Sequence, residues 1–285
     1  MTKNPAASVR ARLLNLAHQR SENFNHLMTR YMLERLLYRL GVSSFQDQFV
    51  LKGAMLFSIW SNKSHRPTKD LDLLGYGEPS IERLVSVFQE ICRIQIADDG
   101  VVFLPDSITG SRIKEDQDYE GVRLHIEARL EAARNRLQLD IGFGDAVLRP
   151  LKQADYQPLL DFPVPQISIY PPESSIAEKF HALATLGMAN SRMKDFYDLW
   201  ILAGLFQYDS RRLGEAIRLT FAGRGTALPA ERPLALTETF FADPQKQLQW
   251  KAFLKKSGLD QTLDLETVVE KINQWLWPLF EQLTE

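Results

Sequence analysis

Cysteine is almost missing from this chain: Cys92 is the only one in 285 residues. An internal disulfide framework is therefore excluded, and no Cys-X-X-Cys spacing exists to hold zinc. The single thiol lies in the apolar helical pattern VSVFQEICRI, where it reads as a buried side chain rather than a nucleophile. A reducing compartment suits such a chain. Long apolar runs are missing too, since none approaches the roughly 18 residues of a membrane helix. With no signal-peptide core in MTKNPAASVRARLL, the expectation is a cytoplasmic protein without a membrane segment. Charge of one sign is also lacking. Lys plus Arg number 34 against 36 Asp plus Glu, a net charge of −2, so no global attraction draws the chain to nucleic acid and any RNA contact must be local. Walker loop, Rossmann glycines and internal repeats are absent from the sequence as well.

What is present is a hydrophobic content of 45%, enough for one large domain or two smaller ones. Two helices are expected within residues 6–40, with Val9, Leu13 and Ala17 on one apolar face and Leu27, Tyr31, Leu36 and Leu40 on the other. Arg10, Arg12, Arg20, Arg30 and Arg35 make this segment locally basic, either a solvated helical face or an RNA-facing edge. A further helix follows Pro79 to about Ile94. VVFLPDSITGSRIKE then reads as two short strands, and GVRLHIEARL with NRLQLDIGFG as antiparallel neighbours of strict alternation. Between Leu148 and Pro172 prolines crowd the chain around VPQISIYP, which reads as an edge strand. Helical patterns dominate from there on, and Trp250, Trp275 and Trp277 read as core. The expected architecture is α/β (α+β), a mixed sheet flanked by helices in residues 1–170 and a helical part over 171–285 that closes the cleft.

Within that frame, LKGAMLFSIWSNKSHRPTKDLDLLG (residues 51–75) carries the chemistry. If TKDLDLLG is a strand, its period of two puts Asp70 and Asp72 on one face, about 7 Å apart at the backbone, with Leu71 and Leu73 turned to the core. Two carboxylates so placed suit Mg²⁺ shared with substrate phosphates; the alternative is a solvated Asp-X-Asp on an exposed strand. Lys52-Gly53-Ala54 opens the run that leads to them. A glycine there lets backbone N–H groups approach a ligand, and a helix N-terminus favours phosphate. In NRLQLDIGFG, Asp140 falls on the polar face, either a third carboxylate of a metal cage or a surface aspartate. Lys179, one step off the apolar face of SSIAEKFHALATLGM, has the reach of a point charge to phosphate; its alternative is an ordinary solvated lysine. In SRMKDFYDLW, Arg192 and Asp195 are helical neighbours, and Asp195 reads as an orienting or proton-accepting group or as half of a structural pair.

Gly-small, then a helix, then Asp-X-Asp on a strand resembles the polymerase-beta-like nucleotidyltransferase superfamily. More narrowly, LKGAMLF…RPTKDLDLLG, LQLDIGFGDAV and EKFHAL…SRMKDFYDLW resemble the AbiEii/AbiGii toxin family of bacterial toxin–antitoxin and phage-defence systems, over about residues 25 to 205. That resemblance implies a transfer of NMP from an NTP with Mg²⁺ held by Asp70, Asp72 and Asp140. Lys52, Gly53, Ala54, Thr68, Lys179 and Arg192 would bind the nucleotide, and Asp195 would serve the chemistry with Lys179. It further implies a pyrimidine nucleotide (CTP or UTP), the tRNA 3′ acceptor end as target, and an antitoxin encoded nearby that need not bind directly. The chain departs from the superfamily pattern where Ala54 replaces the usual Ser or Gly after Gly53, so the hydroxyl that bonds the terminal phosphate is missing; Thr68 offers one nearby. Phosphorylation of Thr68 would set a dianion against Asp70 and Asp72. Two other classes use parts of the same pattern: a small-molecule (antibiotic-type) nucleotidyltransferase, and a non-catalytic binding protein on the same scaffold.

Overall fold

The computed structural model describes residues 4–61, 65–114 and 120–284. Two compact units divide the chain, Met1–Gly144 with Lys152–Ile169, and Asp145–Leu151 with Tyr170–Glu285. No helix of the described residues is long and apolar enough to cross a membrane.

The first unit is built on a sheet. Helix α1 (Pro5–Arg20) starts at Asn4, whose side chain accepts the Ala7 N–H, with proline in the first turn, where its missing donor costs nothing. Helix α2 (Phe24–Gly41) is capped in the same way by Asn23. After β1 (Phe49–Lys52) and a 3-10 turn, Gly53–Met55, come α3 (Leu56–Ser61), β2 (Asp70–Gly75) and α4 (Ile81–Arg93). Strands β3 (Val101–Lys114), β4 (Glu120–Leu130), β5 (Ala133–Gly142), β6 (Lys152–Asp155) and β7 (Gln166–Ile169) complete a seven-stranded sheet of order β3-β4-β5-β2-β1-β7-β6. Its two parallel pairs are β2 with β5 and β1 with β7. One sheet face is apolar, carrying Leu71, Leu73, Leu124, Ile126, Leu137, Leu139 and Ile141, all buried. On α4, Leu84, Val87, Phe88 and Ile91 are buried, and Phe88 meets Phe49 of β1 edge to face. Cys92 on the same helix is half-buried, and burial pushes its thiol up to about 12, out of nucleophilic range.

Two sequence expectations change here. Val101–Lys114 forms one strand rather than two, with a register shift between Leu104 and Thr109 around Pro105, which has no N–H to give to the ladder. VPQISIYP is not an edge. Its strand β7 lies between β1 and the four-residue β6, which has too little alternation to be seen in sequence. The basic amino-terminal edge is used partly in packing: Arg10 faces Glu131 and the Phe24 ring, and Arg12 and Arg35 lie over Phe162.

The second unit is helical among the described residues. Its helices are α5 (Pro172–Leu186), α6 (Met193–Leu205), α7 (Ser210–Gly223), the single-turn α8 (Glu238–Phe241), α9 (Pro244–Ser257) and α10 (Leu265–Thr284). Helix α5 packs on α7 and α6 on α10. Trp250 is buried and its indole N–H donates to the Leu263 carbonyl, a core role as the sequence suggests.

A buried ion pair ties the first unit together. Asp99 binds the Arg39 guanidinium at 2.9 and 3.3 Å, accepts the Val101 N–H that starts β3, and its carbonyl accepts from Tyr31. Arg39 also lies over the Phe103 ring, so removing the carboxylate would leave a buried cation without its anion. Asp99→Ala is expected to cost about 3–5 kcal/mol of stability, measured by urea denaturation. A loss near zero would show that the pair does not anchor β3 to α2.

Candidate active site

Strand register gathers the sequence-flagged residues of the first unit on its polar face. Lys52 of β1 pairs with Asp72 of β2, Asp72 with Asp140 of β5, and Asp140 with Arg123 of β4. One row therefore reads Lys52, Asp72, Asp140, Arg123 across four strands. In the next row Asp70 stands beside Gln138, and Gln138 beside His125. Asp70, Asp72 and Asp140 are all half-buried, open on one side to solvent.

Gly53 completes the arrangement by what it lacks. Its φ is +74°, a left-handed conformation, and a Cβ built there would overlap the Asp72 carboxylate. Only glycine satisfies both demands. The 3-10 turn thus brings main chain, not a side chain, against Asp72, with Ala54 buried behind it. Thr68 sits just before the acids and its hydroxyl bonds the backbone of Asp70 on both sides, donating to the carbonyl and accepting the N–H.

Asp140 is held firmly. Arg123 donates Nε and Nη2 to its two oxygens, each at 2.8 Å, and the Gln138 amide donates to the same oxygens at 3.2 and 3.0 Å. Arg123 and Gln138 were not flagged by sequence reasoning. The signal was available: once the turn Glu131–Ala132 is placed, Leu130 pairs with Ala133, and counting back along both strands brings Arg123 to Asp140. The pairing of β2 with β5 has no such local marker.

Metal fit follows from these donors. Asp70 and Asp72 offer the oxygen ligands a hard dication takes together with phosphates. Among the described residues no three acid, His or Cys side chains are already disposed to hold an ion, and the Asp140 oxygens are engaged by Arg123. The donor set fits a two-carboxylate site.

The second unit holds a separate charged cluster. Lys179 Nζ donates to Asp195 at 3.1 Å and bridges to Asp198 at 2.8 Å, while Arg192 Nε donates to the other Asp195 oxygen at 2.6 Å. The two carboxylates are 1% and 2% exposed and Lys179 15%, so this lysine is not a solvated helix residue. Asp198, which sequence reasoning left aside, is signalled by its place three residues after Asp195 on the same face of α6. The Arg192 turn is itself braced. Asn190 accepts the Arg192 N–H and gives its own amide to the Ala182 carbonyl, and buried Lys246 donates to the Asn190 carbonyl. His181 of α5 is buried and hydrogen-bonded to Thr226.

A family profile described as the nucleotidyl transferase AbiEii toxin of type IV toxin–antitoxin systems matches residues 35–274. The chain belongs to this family. Its AbiEii match spans the carboxylate row and the Lys179 cluster alike. Among solved structures, JHP933 from Helicobacter pylori has a TM-score of 0.54 at 16% identity, covering 92% of this chain and 94% of that one. A candidate nucleotidyltransferase from H. pylori has a TM-score of 0.53 at 16% identity, covering 92% and 97%. At this identity the likeness is one of fold, a mixed α/β nucleotidyltransferase architecture. No curated protein matches the sequence.

The buried cluster gives a pH signature. Burial alone would raise the Asp195 pKa, but Lys179, Arg192 and Lys194 outweigh it and hold the group below its ordinary 3.8. An acid depressed on folding binds fewer protons in the folded state. Its stabilisation is thus complete above about pH 4 and is lost as pH falls through the folded value. Asp195→Asn is expected to cost about 3–5 kcal/mol at pH 7 and to show a shallower loss of stability below pH 4 than the parent, by urea midpoint. Parental stability at pH 7 would show that Lys179 does not need this anion.

Proposed function

We propose that this AbiEii-family protein is a metal-dependent nucleotidyltransferase that moves NMP from an NTP, CTP or UTP, to the 3′ acceptor end of tRNA and so blocks translation. The observation that supports it best is the packing of Gly53 main chain against Asp72, in register with Asp140 and beside Asp70. A metal ion held by the acid pair would supply the positive charge that neutralises a triphosphate and stabilises departing pyrophosphate. Asp70 and Asp72 would hold the cation, and Asp140, in register with Asp72, would be the third carboxylate once its oxygens are free of Arg123. Lys52, in register with Asp72, and the main chain of Gly53 and Ala54 flank the phosphates, and Thr68 fixes the backbone at Asp70. Lys179 and Arg192 are the proposed nucleotide-binding cations of the second unit, with Asp195 orienting both. Such an activity needs an outside brake, and a cognate antitoxin encoded nearby is the partner proposed, in the cytoplasm.

Incubation with each labelled NTP, Mg²⁺ and total tRNA, followed by gel analysis, tests this reading. Labelled tRNA is expected, and EDTA should abolish it. Asp70→Asn and Asp72→Asn should each lower the rate by about 10²–10³-fold with the fold intact. Gly53→Ala, which drives a methyl into the Asp72 carboxylate, should cost about 10²-fold by displacing it. Label on a small acceptor instead of tRNA would favour an antibiotic-type enzyme, and full activity of either acid variant would remove the metal assignment.

A further inference from the structure

We propose that Arg123 is a phosphate-binding residue held in reserve by Asp140, passing from that carboxylate to the triphosphate when a divalent cation takes Asp140. This rests on the nucleotidyltransferase reading and deepens it by naming a substrate contact. Arg123 ends the row Lys52, Asp72, Asp140, Arg123, and its fork engages both Asp140 oxygens at 2.8 Å. That bidentate geometry is one a guanidinium makes equally well to phosphate. A dication drawn between Asp72 and Asp140 would approach the same oxygens and repel the guanidinium. The anions arriving with it are phosphates.

Exposure makes the exchange possible. Arg123 is 37% and Asp140 21% exposed, so water can solvate either charge during the passage. The pairs at Asp195, 1% exposed, lack that freedom. Gln138 keeps Asp140 oriented after Arg123 leaves, because its amide donates to both oxygens independently. Arg123 is thus a stand-in cation for the third carboxylate in the metal-free protein.

The test uses the full chain with Mn²⁺ followed by electron paramagnetic resonance, and inorganic tripolyphosphate as a base-free probe by calorimetry. Arg123→Gln should bind Mn²⁺ roughly three- to fivefold more tightly without phosphate, since Asp140 is released. Its affinity for tripolyphosphate with Mg²⁺ should fall about tenfold or more, through loss of a charged hydrogen-bond pair. Asp140→Asn should show the reverse on the anion side, with metal-free tripolyphosphate binding increased. Should Arg123→Gln melt abnormally, Arg123→Lys carries the same question: near-parental Mn²⁺ affinity with weakened tripolyphosphate binding supports the exchange. Unchanged Mn²⁺ and tripolyphosphate affinities in a folded Arg123 variant overturn it, and loss of Mn²⁺ binding in Asp70→Asn would still leave the metal site standing. Absence of Mn²⁺ binding by the parent protein overturns both readings together.

Discussion

The constraint on which the first unit depends is the parallel pairing of β2 with β5, which sets Asp72 beside Asp140. Neighbouring strands lie about 4.8 Å apart. Two carboxylates at such a spacing repel by roughly 3 kcal/mol at an effective dielectric of about 20, before water and salt screen them. A fold does not place like charges in register for stability, and directly opposed like charges weaken a sheet. What surrounds them reads as compensation. Lys52 stands on the outer side of Asp72 and Arg123 on the outer side of Asp140, so the two acids are flanked by cations and the row sums to zero formal charge. The apolar face below carries the cost of holding four strands in that register, with Leu71, Leu73, Leu139 and Ile141 buried beneath the acids.

Much of this was legible in the sequence and some was not, for physical reasons. Period-two alternation is local, so Asp70 and Asp72 with Leu71 and Leu73 between them, or Asp140 between Leu139 and Ile141, announce their faces. Gly53 announces a special backbone but not its neighbour; that Asp72 fills the space of the missing Cβ depends on pairing across the β1–β2 ladder. Strand order is non-local. Nothing near VPQISIYP says that β7 lies inside the sheet, since its partner β1 is more than a hundred residues earlier. Proline at position 105 marks an interruption, and whether the interruption ends a strand or bends one is decided by the partner strand, β4.

Helical periodicity likewise gave the second unit's elements while leaving its charge pairing half hidden. Arg192 and Asp195 are local neighbours and were visible as such. Lys179 lies on a different helix, and its two carboxylates come from successive turns of α6. Sequence presents Lys179 as one more polar helix residue, because three-dimensional packing alone makes a lysine 15% exposed between two buried acids. The braces are more distant still. Asn190 accepts the Arg192 N–H and Lys246 donates to the Asn190 carbonyl, and so they fix the turn from which Arg192 reaches Asp195.

The two charged assemblies solve opposite problems. Asp195 is desolvated and engaged by Lys179 and Arg192, which together hold its pKa below the ordinary value against the effect of burial. Along the carboxylate row the charges are half-solvated, and the Arg123–Asp140 pair keeps both its groups in reach of water. A site that must admit a dication and a polyanion, then release pyrophosphate, needs the second kind of pairing at the point of exchange, since a buried ion pair would charge its desolvation cost to every turnover. Rigidity is better placed behind the exchange, in glycine backbone and buried leucines that do not move. Gly53, whose main chain abuts Asp72, and the buried leucines of the opposite face supply that rigidity, while Arg123 at 37% exposure supplies the freedom.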